Sequence, residues 1–174
     1  MPPKSEKVEV QMIRCAEHKD VASIQAVLND VSNWGKLEAY PDKVIRDAID
    51  DQQMPILVWE ENGQWGGFCW LRRTNEGTKI EEFGVSRPGC GIGSRFFKAI
   101  LERVSQDRFE RPLWLAVAAD NADAIRIYVR FGFVGGELKK AAWKRRAGPV
   151  ADALIMTYLS NDEASDVPRG KVVT

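Results

Sequence analysis

The sequence predicts a single mixed α/β domain, and three observations carry that prediction. Strand-like and helix-like hydrophobic periods alternate from about residue 8 to residue 160. Three strand-like runs in the first half are separated only by short Asn/Gly turns, which reads as an antiparallel meander. A glycine-rich loop then opens a strand–loop–helix–strand–helix unit in the second half.

Residues 8–15 (VEVQMIRC) put Val8, Val10 and Met12 on one face, as a strand does. Asp20 stands where an N-cap is wanted, ahead of Val21, Ile24, Val27 and Leu28 at helical spacing. The connection SNWGKLEAY leads to a second helix, with Pro41 near its start and Val44, Ile45, Ala48 and Ile49 as its apolar stripe. Residues 54–59 (MPILVW) read as a buried strand, Asn62-Gly63 as a tight hairpin turn and residues 65–72 as the returning strand. A turn at 75–77 gives way to a fourth strand at 78–85 (TKIEEFGV), which Pro88 and three glycines end. Residues 94–108 carry Phe96, Phe97, Ile100, Leu101 and Val104 on one helical face. A strand follows Pro112, and residues 121–131 form a helix with Ala124, Ile125, Ile127, Tyr128 and Phe131 in a broad apolar band. The last strands fall near 133–139 and 153–159. Residues 1–7 and 161–174 lack such patterns and are expected to be flexible, which leaves 8–160 as the domain.

Composition excludes several function classes. The chain's 174 residues suit one domain with a proper core. Its 25 basic and 25 acidic side chains cancel, so no broad field attracts nucleic acid or an anionic membrane. Cys15, Cys69 and Cys90 form no CxxC pair, and His18 is the only histidine, so no metal site is expected. Reduced thiols, an N-terminus without a signal-peptide core and the lack of a long apolar run together predict a cytoplasmic protein. Oligomeric state stays open, a homodimer included.

Gly89-Cys90-Gly91-Ile92-Gly93-Ser94 is the most informative local feature. Glycines admit positive φ and leave the backbone open to a ligand. A helix starting there leaves its first amides unpaired, which suits a phosphate. A P-loop needs Lys-Ser/Thr after its last glycine, and Ser94-Arg95 stands there instead. The dinucleotide fingerprint GxGxxG fails too, because the spacing is GxGxG. The competing bland reading is a turn that only redirects the chain.

Downstream lies AADNADAIRIYVRFGFV, and here the sequence resembles the GNAT superfamily of acyl-CoA-dependent N-acyltransferases. That family's pyrophosphate loop reads Gln/Arg-x-x-Gly-x-Gly/Ala, and residues 88–93 match its glycine positions. Its later segment reads Asn-x-x-Ala-x-x-x-Tyr-x-x-x-Gly-Phe, met in full by Asn121, Ala124, Tyr128, Gly132 and Phe133. The resemblance spans roughly residues 8–159. Two departures stand out: Pro88 replaces the residue that opens the loop, with Arg87 one position earlier, and the loop is about two residues short.

The resemblance implies a mostly antiparallel sheet of about seven strands, splayed between strands 4 and 5 and flanked by four helices. It further implies acetyl-CoA as co-substrate, an amine acceptor on a small molecule or protein, and direct transfer in a ternary complex. No metal is implied. Phe83, Gly84 and Val85 would meet the pantetheine arm, an amide there polarising the thioester carbonyl. Arg87, Gly89, Cys90, Gly91, Ile92, Gly93 and Ser94 would hold the pyrophosphate, with Asn121 assisting; Asn121 is equally an N-cap. Tyr128 would protonate the departing thiolate, against the alternative that it only packs on the sheet. Glu81 and Glu82 are the candidate bases, on opposite faces under strict alternation. Glu81 is favoured because it then shares a face with Phe83 and Val85, a choice that a β-bulge would reverse. His18 reads as a surface residue, Cys90 as a small filler rather than a reactive thiol, and Trp34 and Tyr40 as either acceptor-pocket aromatics or core. The basic run 139–146 around Trp143 reads as a solvated edge. The alternative to an enzyme is a non-catalytic acyl-CoA-binding module.

Overall fold

The computed structural model describes residues 10–33, 35–51, 53–106 and 112–159. The expected flexible ends (1–7 and 161–174) and Trp34 lie outside the described residues. Seven strands make one sheet: β1 (Gln11–Cys15), β2 (Ile56–Glu61), β3 (Gln64–Thr74), β4 (Gly77–Val85), β5 (Leu113–Ala118), β6 (Phe133–Trp143) and β7 (Ala151–Tyr158). Their spatial order is β1-β2-β3-β4-β5-β7-β6. Neighbours are antiparallel except β4 and β5, which run parallel. Among the described residues the helices are α1 (Val21–Asn29), α2 (Asp42–Asp50), α3 (Ile92–Gln106) and α4 (Ala122–Arg130), with two 3₁₀ turns.

Period-two alternation along β3 divides the core. Phe68 and Trp70 enter a cluster with Ile24 and Leu28 of α1 and Ile45 of α2. Cys69 and Leu71 enter the opposite cluster with Phe96, Phe97 and Ile100 of α3, against which Ala124 and Tyr128 of α4 pack. Phe96 and Phe97 are both fully buried. Burial at about 1.5–3 kcal/mol per large side chain holds α3 on the sheet more firmly than any cap or surface ion pair.

Local chemistry sets most boundaries. The β2–β3 turn is Asn62-Gly63 with φ 51° and 75°, the doubly positive pair of a type I′ hairpin. Pro41 occupies the N-cap of α2. Asp20 does not cap α1 through its side chain. Its carboxylate instead accepts from the Glu17 amide (2.7 Å) and the Arg14 guanidinium (2.7 and 2.9 Å), stabilising the 3₁₀ turn before the helix. Helix α3 starts at Ile92, two residues earlier than the periodicity suggests, because the Ile92 side chain is itself core. Strand β6 runs on to Trp143 through two register breaks, with Ala141 at φ 49°.

Two irregularities in β4 position the site. Trp70 pairs with Glu82 but Leu71 with Ile80, so Glu81 is an extra residue, a β-bulge. On its other edge β4 pairs with β5 only at Thr78–Leu113, Lys79–Trp114 and Ile80–Leu115. Beyond Ile80 the strands part, as a bulge's added twist favours. Residues 81–85 and 116–118 then border a gap in the sheet.

Candidate active site

A cavity of about 410 Å³ occupies that gap. Its walls are the β4 residues Ile80 to Val85, the β5 residues Leu115 to Val117, and Asn121, Ala124, Ile127 and Tyr128 of the α4 segment. Pro88, Gly89, Gly91, Gly93 and Ser94 form the glycine-loop end of the lining, and Asn33, Lys36, Leu37 and Trp143 line the cavity as well.

At the glycine-loop end the chain turns through Gly89 (φ 79°) and Gly91 (φ 77°), a region that side chains with a Cβ rarely enter. Open space surrounds the place where a Cβ would stand on Gly89. The next backbone bond is Arg95 N–H to the Gly91 carbonyl, at 3.3 Å. Among the described residues, no acceptor takes the amides of residues 89–94. Six successive free amides at a helix N-terminus fit a diphosphate. Arginines flank the loop: Arg95 forks onto Glu61 at 2.7 and 3.1 Å, and Arg130 donates to Ser94 Oγ at 3.2 Å. Arg87 is exposed, within the field of Glu61, and outside the cavity lining. Cys90 is exposed and, like Ile92, off the lining; the Ile92 side chain is buried in the core.

The two glutamates sit in the middle. Strict alternation would separate their faces, but both line the cavity. The bulge returns Ile80 and Phe83 to one face, that of α3 and α4. Glu81 therefore does not share a face with Phe83 and Val85. It is bound instead by Lys79 (3.0 Å) and Arg72 (2.9 Å), whose neighbours Ile80 and Leu71 point the other way. Glu82 is only 7% exposed and has no cationic partner among the described residues. Its Oε1 accepts from the Glu38 amide and the Tyr40 hydroxyl, each at 3.2 Å. Burial pushes its carboxyl up to about 8; the Glu38 and Glu81 charges add to this, and the two hydrogen bonds oppose it.

Tyr128 faces this group from α4, its ring packed on Phe97 (5.6 Å) and Phe133 (5.9 Å). Burial, then the fields of Cys69 and Glu82, hold the phenol above its ordinary range. Its hydroxyl has no hydrogen-bond partner among the described residues. Asn121 caps α4, its side chain accepting from the Ala124 amide at 3.4 Å, and it also lines the cavity.

The other candidates stand apart. His18 pairs with Asp50 at 3.0 Å on the surface. Tyr40 lies behind Glu82 rather than on the cavity wall, its ring 4.9 Å from Trp70. The run 139–146 is largely spoken for: Lys140 pairs with Asp152, Arg145 with Asp120, and Arg146 with the Leu28 and Leu37 carbonyls. Trp143 donates to the Gly35 carbonyl at 3.3 Å and so ties β6 to the α1–α2 connection. Asn33, Lys36, Leu37 and Glu38 were not singled out in the sequence. They sit in an irregular segment without period or motif. Among the described residues no three metal-binding side chains gather, and no helix is long and apolar enough to cross a membrane.

Comparison with known proteins agrees with this geometry. No curated protein matches the sequence. Among solved structures, a spermidine N-acetyltransferase from Vibrio cholerae in complex with CoA and spermine superposes with a TM-score of 0.75 at 18% identity, covering 86% of this chain and 95% of that one. The ribosomal-protein-S18-alanine N-acetyltransferase from Escherichia coli gives 0.71 at 18% identity, over 86% and 93% of the two chains. A ribosomal-protein-alanine N-acetyltransferase from Brucella melitensis gives 0.70 at 21%, over 86% and 99%. Likeness at such identity shows the shared fold. The model of the acetyltransferase (GNAT) family matches residues 22–133, from α1 through the glycine loop to the start of β6. With well over half of its length matched, the chain belongs to the acetyltransferase (GNAT) family.

Proposed function

We propose that this acetyltransferase moves an acetyl group from acetyl-CoA directly onto an amine, with Glu82 as base and Tyr128 as acid. One observation carries the reading: a single cavity is lined by Gly89, Gly91, Gly93 and Ser94 of the loop with free amides, by a buried carboxyl and by a phenol, and among the described residues the carboxyl has no cation and the phenol no hydrogen bond. Bound acetyl-CoA supplies the activated thioester. The amides of Gly89 to Ser94 hold its diphosphate, and the main chain of Phe83 to Val85 meets its arm along the edge that β5 leaves unpaired. Glu82 takes a proton from the amine, because its raised affinity for protons suits it to accept one near neutral pH. Tyr128 keeps its proton until thiolate forms, because burial disfavours the phenolate. Glu81 is instead engaged by Lys79 and Arg72, whose ion pairs would have to break before it could reach the amine.

The acceptor enters beside Lys36, Leu37 and Trp143, which line the cavity and belong to neither the glycine loop nor α4. Neighbours of the same fold are named for spermidine and for ribosomal-protein alanine, so both chemistries belong in the first screen. The reading extends to a cytoplasmic protein that needs neither nucleic acid nor membrane, with a homodimer as the assembly to test by light scattering.

Two measurements test the function. At one hundred times Kd, acetyl-CoA should stabilise the fold by about 2.7 kcal/mol, on the order of 5–10 °C in Tm for a chain of this size. Thiol release is then followed with spermidine, an alanine-tipped peptide and simple alkylamines. Binding without thiol release for any amine would leave an acyl-CoA-binding module instead.

A further inference from the structure

With an ammonium acceptor the reaction does not balance inside the cavity. Alkylammonium and acetyl-CoA give N-acetylamine, CoA thiol and one proton. The nitrogen loses two protons in all; the sulfur gains one, and the other must reach solvent. The group that takes it, Glu82, is 7% exposed, and acceptor and acetyl-CoA would together fill the cavity it lines.

Behind Glu82, away from the cavity, is a second contact. The Tyr40 hydroxyl lies 3.2 Å from Glu82 Oε1 and 3.2 Å from Glu38 Oε2. One hydroxyl carries one proton, so both contacts are hydrogen bonds only when one carboxyl is protonated too. The hydroxyl is thus placed to donate to one carboxyl while accepting from the other. Glu38 is exposed. Tyr40 is fixed: its ring packs on Trp70, and its carbonyl accepts from Gln25 Nε2 at 2.7 Å. Both contacts are longer than the roughly 2.7–2.8 Å usual for O–H···O, as catalytic contacts often are before substrate binds.

We propose that Tyr40 and Glu38 form the exit path by which the acceptor's proton leaves Glu82 for solvent. This rests on Glu82 being the base. Glu82 takes the ammonium proton and the electron pair stays on nitrogen. Protonated Glu82 then gives its proton to the Tyr40 oxygen as Tyr40 passes its own to Glu38 Oε2, and Glu38 releases a proton to water. Tyr40 never persists as phenolate, consistent with the burial and carboxylate charges that oppose its ionisation. Tyr40 and Glu38 are positioning residues, acting through Glu82. The other groups facing Glu82 are Glu81, with Lys79 and Arg72 on it, and Tyr128 across the cavity.

The test compares wild type, Tyr40→Phe, Glu38→Gln and Glu82→Gln from pH 6.5 to beyond the acceptor's own pKa (about 8 for an α-amine, about 10.4 for an alkylamine), using the fastest of spermidine, the alanine-tipped peptide and ethylamine. Tyr40→Phe keeps the ring on Trp70, and an unchanged melting temperature checks the fold. The path predicts a kcat loss of about tenfold or more for Tyr40→Phe at low pH. That loss should shrink above the acceptor's own pKa, where no proton need leave, and should be recovered by added imidazole. Glu38→Gln should behave likewise, and acetyl-CoA affinity should hold in both. A loss equal at every pH and deaf to imidazole would make Tyr40 merely structural and overturn the path, as would wild-type rates in Tyr40→Phe. Full activity in Glu82→Gln, or no turnover by wild type with any amine, would instead overturn the reading of the site on which the path stands.

Discussion

Glu82→Gln isolates the proposed base with little change in volume. With its carboxyl pushed up to about 8, only about a tenth of Glu82 is ionised at pH 7 and nearly all at pH 9.5. The wild-type rate should climb about tenfold per pH unit below 8 and level above it. Because the acceptor amine titrates as well, the quantity to plot is the ratio of wild-type to variant rates on one amine, in which acceptor ionisation cancels. That ratio should rise about thirtyfold between pH 6.5 and pH 9.5, to between about 10² and 10⁴ at the upper end. Stability gives a second readout with a definite sign. A raised folded-state pKa means that the folded chain binds the proton more tightly than the unfolded one. Stability is therefore full below about 4.5 and is lost as pH rises through about 8. The loss is on the order of 5 kcal/mol at most, taking 1.36 kcal/mol per pH unit. Glu82→Gln cannot ionise, so urea titrations should find it more stable than wild type at pH 9.5. A rate ratio flat with pH would refute the reasoning, and a larger loss in Glu81→Gln would transfer the role to Glu81.

Tyr128→Phe retains the packing on Phe97 and Phe133, so its effect belongs to the hydroxyl: kcat falls by about 10²-fold or more while calorimetric acetyl-CoA affinity stays within twofold (about 0.4 kcal/mol). Gly91→Ala sets a Cβ in left-handed backbone, 2.9 Å from an Arg95 nitrogen; acetyl-CoA Kd should weaken about tenfold, or about 1.4 kcal/mol, with kcat at saturation little changed. Asn121→Ala removes the α4 cap, and calorimetric melting should drop about 2–4 °C for a loss near 1 kcal/mol, with a further weakening of cofactor binding if the side chain also holds it.

What the residue order determined was local. Asn62-Gly63 reads as a hairpin in any context, because only a few residues accept two positive φ angles in succession. Phe96, Phe97 and Ile100 declare a helix face by spacing alone. The glycine loop and the Asn121–Phe133 segment pointed to the family, and the match over residues 22–133 bears that out. The splayed seven-stranded sheet expected from the resemblance is the sheet observed. What the order could not determine was how the two glutamates are placed. That depends on one extra residue in the ladder between Trp70 and Leu71. A bulge is decided by how two strands twist together, not by either strand's own pattern. The bulge sets Glu81 among cations and Glu82 in a dry site. The irregular α1–α2 segment was equally illegible, since Glu38 and Tyr40 meet Glu82 from more than forty positions away, with no period to announce it. Short-range sterics are written in neighbouring residues; the dielectric around a carboxyl exists only once distant segments have closed over it.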